Sequence, residues 1–218
     1  MKKLLGLLCC LPLFANAGII TNGSFESNDV RRGGWSYFSS NDVQGWQGHN
    51  IEIWDNLFNI NAVEGDQFIE LNAHCSGGGS RACQSGKYSI YQDFASNQGQ
   101  QYSFGLSYRA RANRNESFQV SIEDSVGNTV YSQLLADHNN NSWRQFSGTF
   151  VANDNWSRIR LDSMINGSLG NLIDNVYVEA ISVSSFSAAT FAVSEPASII
   201  LLIFALAALI ILRKKRAD

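Results

Sequence analysis

Between Pro12 and Pro196 the chain has no proline, and between residues 18 and 194 it has one lysine, Lys87. No residue in that stretch therefore lacks the N–H that a strand ladder needs. The shortage of basic residues excludes a nucleic-acid partner. Residues 18–194 hold 10 Lys and Arg against 17 Asp and Glu, about −7, whereas the whole 218-residue chain carries −3. Such a surface gains nothing by approaching a phosphate backbone, and suits solvent exposure or cation binding. Catalytic signatures are missing too. There is no G-x-S-x-G and no H-E-x-x-H, and His49, His74 and His138 fall in unrelated contexts. Glu52 with Glu70 could form the carboxylate pair of a glycosidase, but nothing singles them out among 17 acids. The chain reads as a non-enzyme.

Helical periodicity is also missing between residues 18 and 190; alternation replaces it. Tyr102, Phe104, Leu106 and Tyr108 share one face of QYSFGLSYRAR, with Ser103, Gly105, Ser107 and Arg109 on the other. Phe118, Val120 and Ile122 alternate with polar residues, as do Ile69 and Leu71, Phe146 and Phe150, and Ile159 and Leu161. Period two marks half-buried strands. Ser125-Val126-Gly127-Asn128 supplies a hairpin turn before TVYSQLL. Many short strands of this kind predict an all-β fold, an antiparallel jelly-roll sandwich.

The two ends are targeting segments. Lys2 and Lys3, the apolar run Leu4 to Phe14 and Ala15-Asn16-Ala17 form a signal peptide over residues 1–17. Cys9 and Cys10 leave with it; their place inside the apolar run, after leucine, speaks against a lipid anchor. Cys75 and Cys83, in HCSGGGSRACQSG, then remain as an even pair in an exported chain, the pattern of a disulfide. A metal site from His74, Cys75 and Cys83 lacks a fourth ligand at a known spacing. Residues 18–181 form the sandwich domain. Residues 182–194, small and hydroxylated, form a flexible linker. Ala197 to Leu212 is uncharged and, as a transmembrane-type helix, covers ~24 Å of a ~30 Å hydrocarbon core. Arg213-Lys214-Lys215-Arg216 would stay cytoplasmic.

Val193-Ser194-Glu195-Pro196, the apolar run and the closing basic cluster together resemble a PEP-CTERM sorting tail, over 195–218 with its motif from 193. The resemblance implies a bacterium with an outer membrane and an exopolysaccharide. It also implies an exosortase-type membrane protease that cuts near the motif and passes the body to the cell surface or matrix. Ser194 stands where the family usually has proline. The alternative is an ordinary single-pass anchor.

A second resemblance covers roughly residues 19–180. Asn22-Gly23-Ser24-Phe25-Glu26, Gly45-Trp46, Glu64-Gly65-Asp66-Gln67-Phe68-Ile69-Glu70-Leu71, Ser89-Ile90-Tyr91-Gln92 and Ile173-Asp174-Asn175-Val176 are similar, in that order, to blocks of galactose-binding-like jelly rolls. These include many carbohydrate-binding modules. The resemblance implies that a first strand, 19–27, meets the last at one structural Ca2+. Glu26 and Asp174 would supply carboxylates, and the Ser24 carbonyl and a group near Asp66 part of the shell. Polysaccharide binding would need aromatic faces beside polar groups. Trp35, Tyr37 and Trp54 are the chosen aromatics, with Trp143 and Trp156 also available; Glu70, Gln92 and Arg109 would line a polar sheet face. Trp46 is assigned to the core. A structural matrix component with no discrete ligand site is the rival reading.

Overall fold

The alternating segments form strands, and their apolar faces form the core. The computed structural model describes residues 18–74, 88–112 and 115–182, and among these there is no α-helix. The strands are β1 (Trp35–Phe38), β2 (Gln47–Gly48), β3 (Ile51–Asp55), β4 (Gln67–Glu70), β5 (Ser89–Ala95), β6 (Gln101–Ala110), β7 (Phe118–Asp124), β8 (Thr129–Leu135), β9 (Arg144–Val151), β10 (Trp156–Ser163) and β11 (Asn171–Ala180). They pair antiparallel into two sheets, β1-β3-β4-β11-β6-β9 and β2-β5-β10-β7-β8. The architecture is the expected jelly-roll sandwich.

Ile53, Ile69, Leu106, Ile122, Ile159 and Ile173 meet between the sheets with Phe25, Trp46, Phe104 and Phe150. Each such side chain stabilises the fold by about 1.5–3 kcal/mol. Phe104 packs edge-on against Phe146 and Phe150. Its ring needs the gap left by Gly148 directly opposite, where a Cβ would stand 2.9 Å from the ring. The β7–β8 hairpin turns as expected. Gly127 adopts φ 87°, and the Asp124 carboxylate accepts the N–H groups of Val126 and Asn128.

The first segment departs from expectation. Residues 19–27 are a run of turns rather than a strand. Asn22 (φ 52°) and Phe25 (φ 61°) take left-handed conformations that break any ladder. The segment still lies along β11, through Ile19 N–H to Val178 O and Val176 N–H to Gly23 O. The turns drive Phe25 inward, where it stacks on Trp46 at 5.2 Å.

Candidate ligand-binding cleft

Strand register sorts the predicted ligand residues. Trp35 pairs with Trp54 and Tyr37 with Glu52. Trp54 pairs with Phe68 and Glu52 with Glu70. Leu172 is opposite both Glu70 and Arg109. Paired residues share a face, so Trp35, Tyr37, Trp54, Glu70 and Arg109 all lie on the outward side of the six-stranded sheet. Gln92 does not join them. It is buried in β5 of the other sheet, where its amide exchanges two hydrogen bonds with the Thr21 backbone, at 2.7 and 2.9 Å. It pins the N-terminal segment, and sequence alternation alone does not say which sheet a strand joins.

This outward face is partly roofed. Residues 56–62 cross it, and Leu57, Ile60 and Ala62 pack with Trp54, Phe68, Leu172 and Trp143 into a second, smaller apolar cluster. Trp54 is therefore fully buried rather than open to a ligand. Its indole N–H donates to Glu52 Oε1 at 2.7 Å. Where the roof stops, a cleft of about 310 Å³ remains. Trp54, Glu52 and Arg111 form its floor; Trp35, Phe58, His74, Ser168 and Leu169 form its walls. Trp35 is 43% exposed and Phe58 69%. The His74 ring packs against both Trp35 (5.5 Å) and Tyr37 (6.0 Å).

The floor is electrostatically fixed. Glu70 has no exposed surface and pairs with Arg111 at 2.6 Å, while Gly170 N–H donates to its other oxygen at 2.7 Å. Burial pushes its carboxyl up to about 8, against the opposing pull of Arg111. The Arg111 guanidinium lies 4.8 Å over the Trp54 ring. Glu52 Oε2 accepts the His74 N–H at 2.5 Å. Glu52 and Glu70 thus stand side by side, and each binds the protein's own donors. Arg109 lies further along the face, its Nη2 donating to Asn140 O and its buried Nε finding no hydrogen-bond partner among the described residues. Desolvation lowers its pKa.

Phe58, His74 and Arg111 also line this cleft, and the sequence reading did not place them there. The local signal for Phe58 is Asn56-Leu57-Phe58-Asn59, where asparagines flank an aromatic. Asn56, Phe58 and Asn59 all have positive φ, at 46°, 57° and 58°. An aromatic residue held left-handed and pushed into solvent costs on the order of 1–3 kcal/mol, a strain that accumulates at ligand sites.

The expected calcium ligands do converge, on a loop. Asp174 Oδ2 accepts the N–H groups of Val63 (2.6 Å) and Glu64 (3.0 Å), and Oδ1 that of Asn175 (2.6 Å). Glu26 Oε1 accepts those of Asp66 (3.0 Å) and Gln67 (2.7 Å). Gly65, at φ 67°, lets the loop close over Glu26; a Cβ there would sit 2.4 Å from Oε1. Burial raises the Asp174 carboxyl to about 6. Ser24 is half-buried and Asp66 exposed. Calcium needs six to eight oxygens with lone pairs to give. Among the described residues no group of three or more His, Cys, Asp or Glu is placed to hold a metal. As arranged, Glu26 and Asp174 accept backbone amide donors and clamp the loop of residues 63–67.

The expected disulfide of Cys75 and Cys83 lies outside the described residues. So do the signal peptide, the motif Val193-Ser194-Glu195-Pro196, the apolar run and Arg213-Lys214-Lys215-Arg216.

Fold and site together define an antiparallel jelly-roll sandwich with an aromatic-walled cleft on the outside of one sheet. Residues 18–179 match the family described as "Protein of unknown function (DUF642)", and the chain belongs to that family. No curated protein matches it. Among solved structures it is similar to one titled "CBM4 structure and function", at 16% identity, with 74% of this chain and 99% of that chain covered and a TM-score of 0.45. It is also similar to TmCBM61 in complex with beta-1,4-galactotriose (14%, 75% and 99%, TM-score 0.48). A third is the enzymatically active domain of tailspike protein 4 of bacteriophage CBA120 (14%, 75% and 21%, TM-score 0.48).

Proposed function

We propose that this domain binds polysaccharide without cleaving it, through the cleft beside Trp35. The observation that carries the reading is the pairing of open aromatic walls with a polar floor whose geometry is fixed before any ligand arrives. Trp35 and Phe58 offer faces for the apolar side of a sugar ring, and His74, Ser168 and Arg111 offer hydrogen bonds to its hydroxyls. A floor already held by Glu52, Glu70 and Arg111 loses little entropy on binding. Retention on columns of insoluble and soluble polysaccharides tests this. Wild type should be retarded by at least one neutral glycan, and Trp35→Ala and Phe58→Ala should each weaken the retardation without lowering the melting midpoint. A wild type that passes every column unretarded supports a matrix component with no discrete ligand.

The proposal extends to location. The tail from Val193 to Arg216 supports an exported chain held briefly at the inner membrane, then cut by an exosortase-type protease for release to the surface or extracellular matrix. The intact mass of the protein recovered from its cells checks this. Loss of residues 1–17 and of everything beyond about Glu195 is expected. A mass that retains the basic end, found in the inner membrane, means a plain single-pass anchor.

A further inference from the structure

The other sheet carries a second pocket, of about 280 Å³, where β10 begins beside the β7–β8 turn. Trp156 stands at its mouth, 56% exposed, on a strand whose next residue, Ser157, is buried. Its surroundings are built rather than loose. Asp154 accepts the Trp156 N–H (2.9 Å) and the Ser125 N–H (3.1 Å), tying the indole's strand to the turn. Arg158 is fixed by two bonds to Asp93, at 2.6 and 3.0 Å, and lies 3.9 Å over the Tyr91 ring. An indole face beside a fixed guanidinium and carboxylates meets the two needs of a sugar ring, apolar stacking and hydroxyl hydrogen bonds. Asp93, Asp124 and Glu123 outnumber Arg158 here, so a uronate or sulfated glycan would be repelled.

We propose that this pocket is a second site for a neutral sugar ring. Trp156 and Arg158 face outward from the five-stranded sheet, while the Trp35 cleft lies on the outward side of the six-stranded one. One domain therefore joins two glycan chains and cross-links them. The inference rests on reading the Trp35 cleft as a glycan site.

The protein recovered from its cells is titrated with short neutral β-glucan and β-galactan oligosaccharides, then mixed with the soluble polymers while light scattering is followed. Two sites per chain and a rise in scattering are expected for wild type. Trp156→Ala should bind at one site, keep its melting midpoint and lose the rise. Trp35→Ala should do the same through the other site. One site in wild type, lost in Trp35→Ala and kept in Trp156→Ala, overturns the second pocket and leaves the cleft intact. One site lost in Trp156→Ala and kept in Trp35→Ala overturns both the cross-link and the cleft. No binding of either oligosaccharide overturns both readings. Preferential binding of polygalacturonate overturns the neutral-sugar assignment.

Discussion

Trp54 and Trp156 occupy the same kind of position, the outward side of a strand in a sandwich, and meet opposite fates. Trp54 is sealed beneath residues 56–62, bonded to Glu52 and covered by Arg111. Trp156 has no such roof and keeps 56% of its surface in water. Charges follow the same division. Glu70 is buried beneath a partly exposed Arg111 on one face, whereas Arg158 and Asp93 pair on the other at 32% and 41% side-chain exposure. Strand alternation chooses the side of a residue. The loops that cross that side decide whether the residue holds the fold together or meets a ligand.

The sharpest way to break the comparison is to truncate both indoles. Trp54→Ala should cost about 3–5 kcal/mol, because it empties a packed cluster and frees a buried Glu52 oxygen. Trp156→Ala should change stability by about 0.5 kcal/mol or less. Urea midpoints at constant m-value read both; equal losses would mean that the roof does not seal Trp54.

A second test uses acidity. Glu70 rises from 4.5 to about 8 on folding, so the folded chain holds its proton more tightly than the unfolded one. Its contribution to stability is full below pH 4.5 and is lost as pH rises towards 8, by at most about 1.4 kcal/mol per pH unit. Glu70→Gln removes this term. The variant's stability relative to wild type should therefore rise from pH 5 to pH 8, as followed by thermal melts across that range. A constant difference would show that Arg111 holds Glu70 ionised throughout.

On the open face the effect should be smaller. Breaking the exposed pair with Arg158→Ala should cost up to about 1 kcal/mol and shrink further in high salt. Chelator should have the least effect of all. With Glu26 and Asp174 already accepting amide N–H groups, the melting midpoint should stay unchanged on adding a calcium chelator. A fall that calcium restores would mean that the amides of residues 63–67 yield to the ion.

Much of the scaffold was legible because period two is a local property. Tyr102 to Tyr108, Phe118 to Ile122 and the Ser125–Asn128 turn all took their expected places. The strand over 19–27 was implied by the resemblance alone, and there Asn22 and Phe25 turn left-handed to reach the core. Trp35, Tyr37, Trp54, Glu70 and Arg109 were gathered from distant parts of the chain and do share a face. Gln92 was misassigned because sheet membership depends on long-range pairing. Burial of Trp54 was equally invisible, since it depends on a loop folding back over its own strand. Phe58 and Arg111 belong to that roof and floor, and only the left-handed asparagines beside Phe58 marked the place.

The central claim is that the cleft beside Trp35 takes a sugar ring. Calorimetric titration of a neutral oligosaccharide into wild type and Trp35→Ala, with melting midpoints measured on the same samples, tests it most directly. The account predicts that the cleft component of the saturable binding weakens at least about tenfold in the variant, a change of ~1.4 kcal/mol or more, at an unchanged midpoint. Identical titration curves, in stoichiometry as well as affinity, would contradict it.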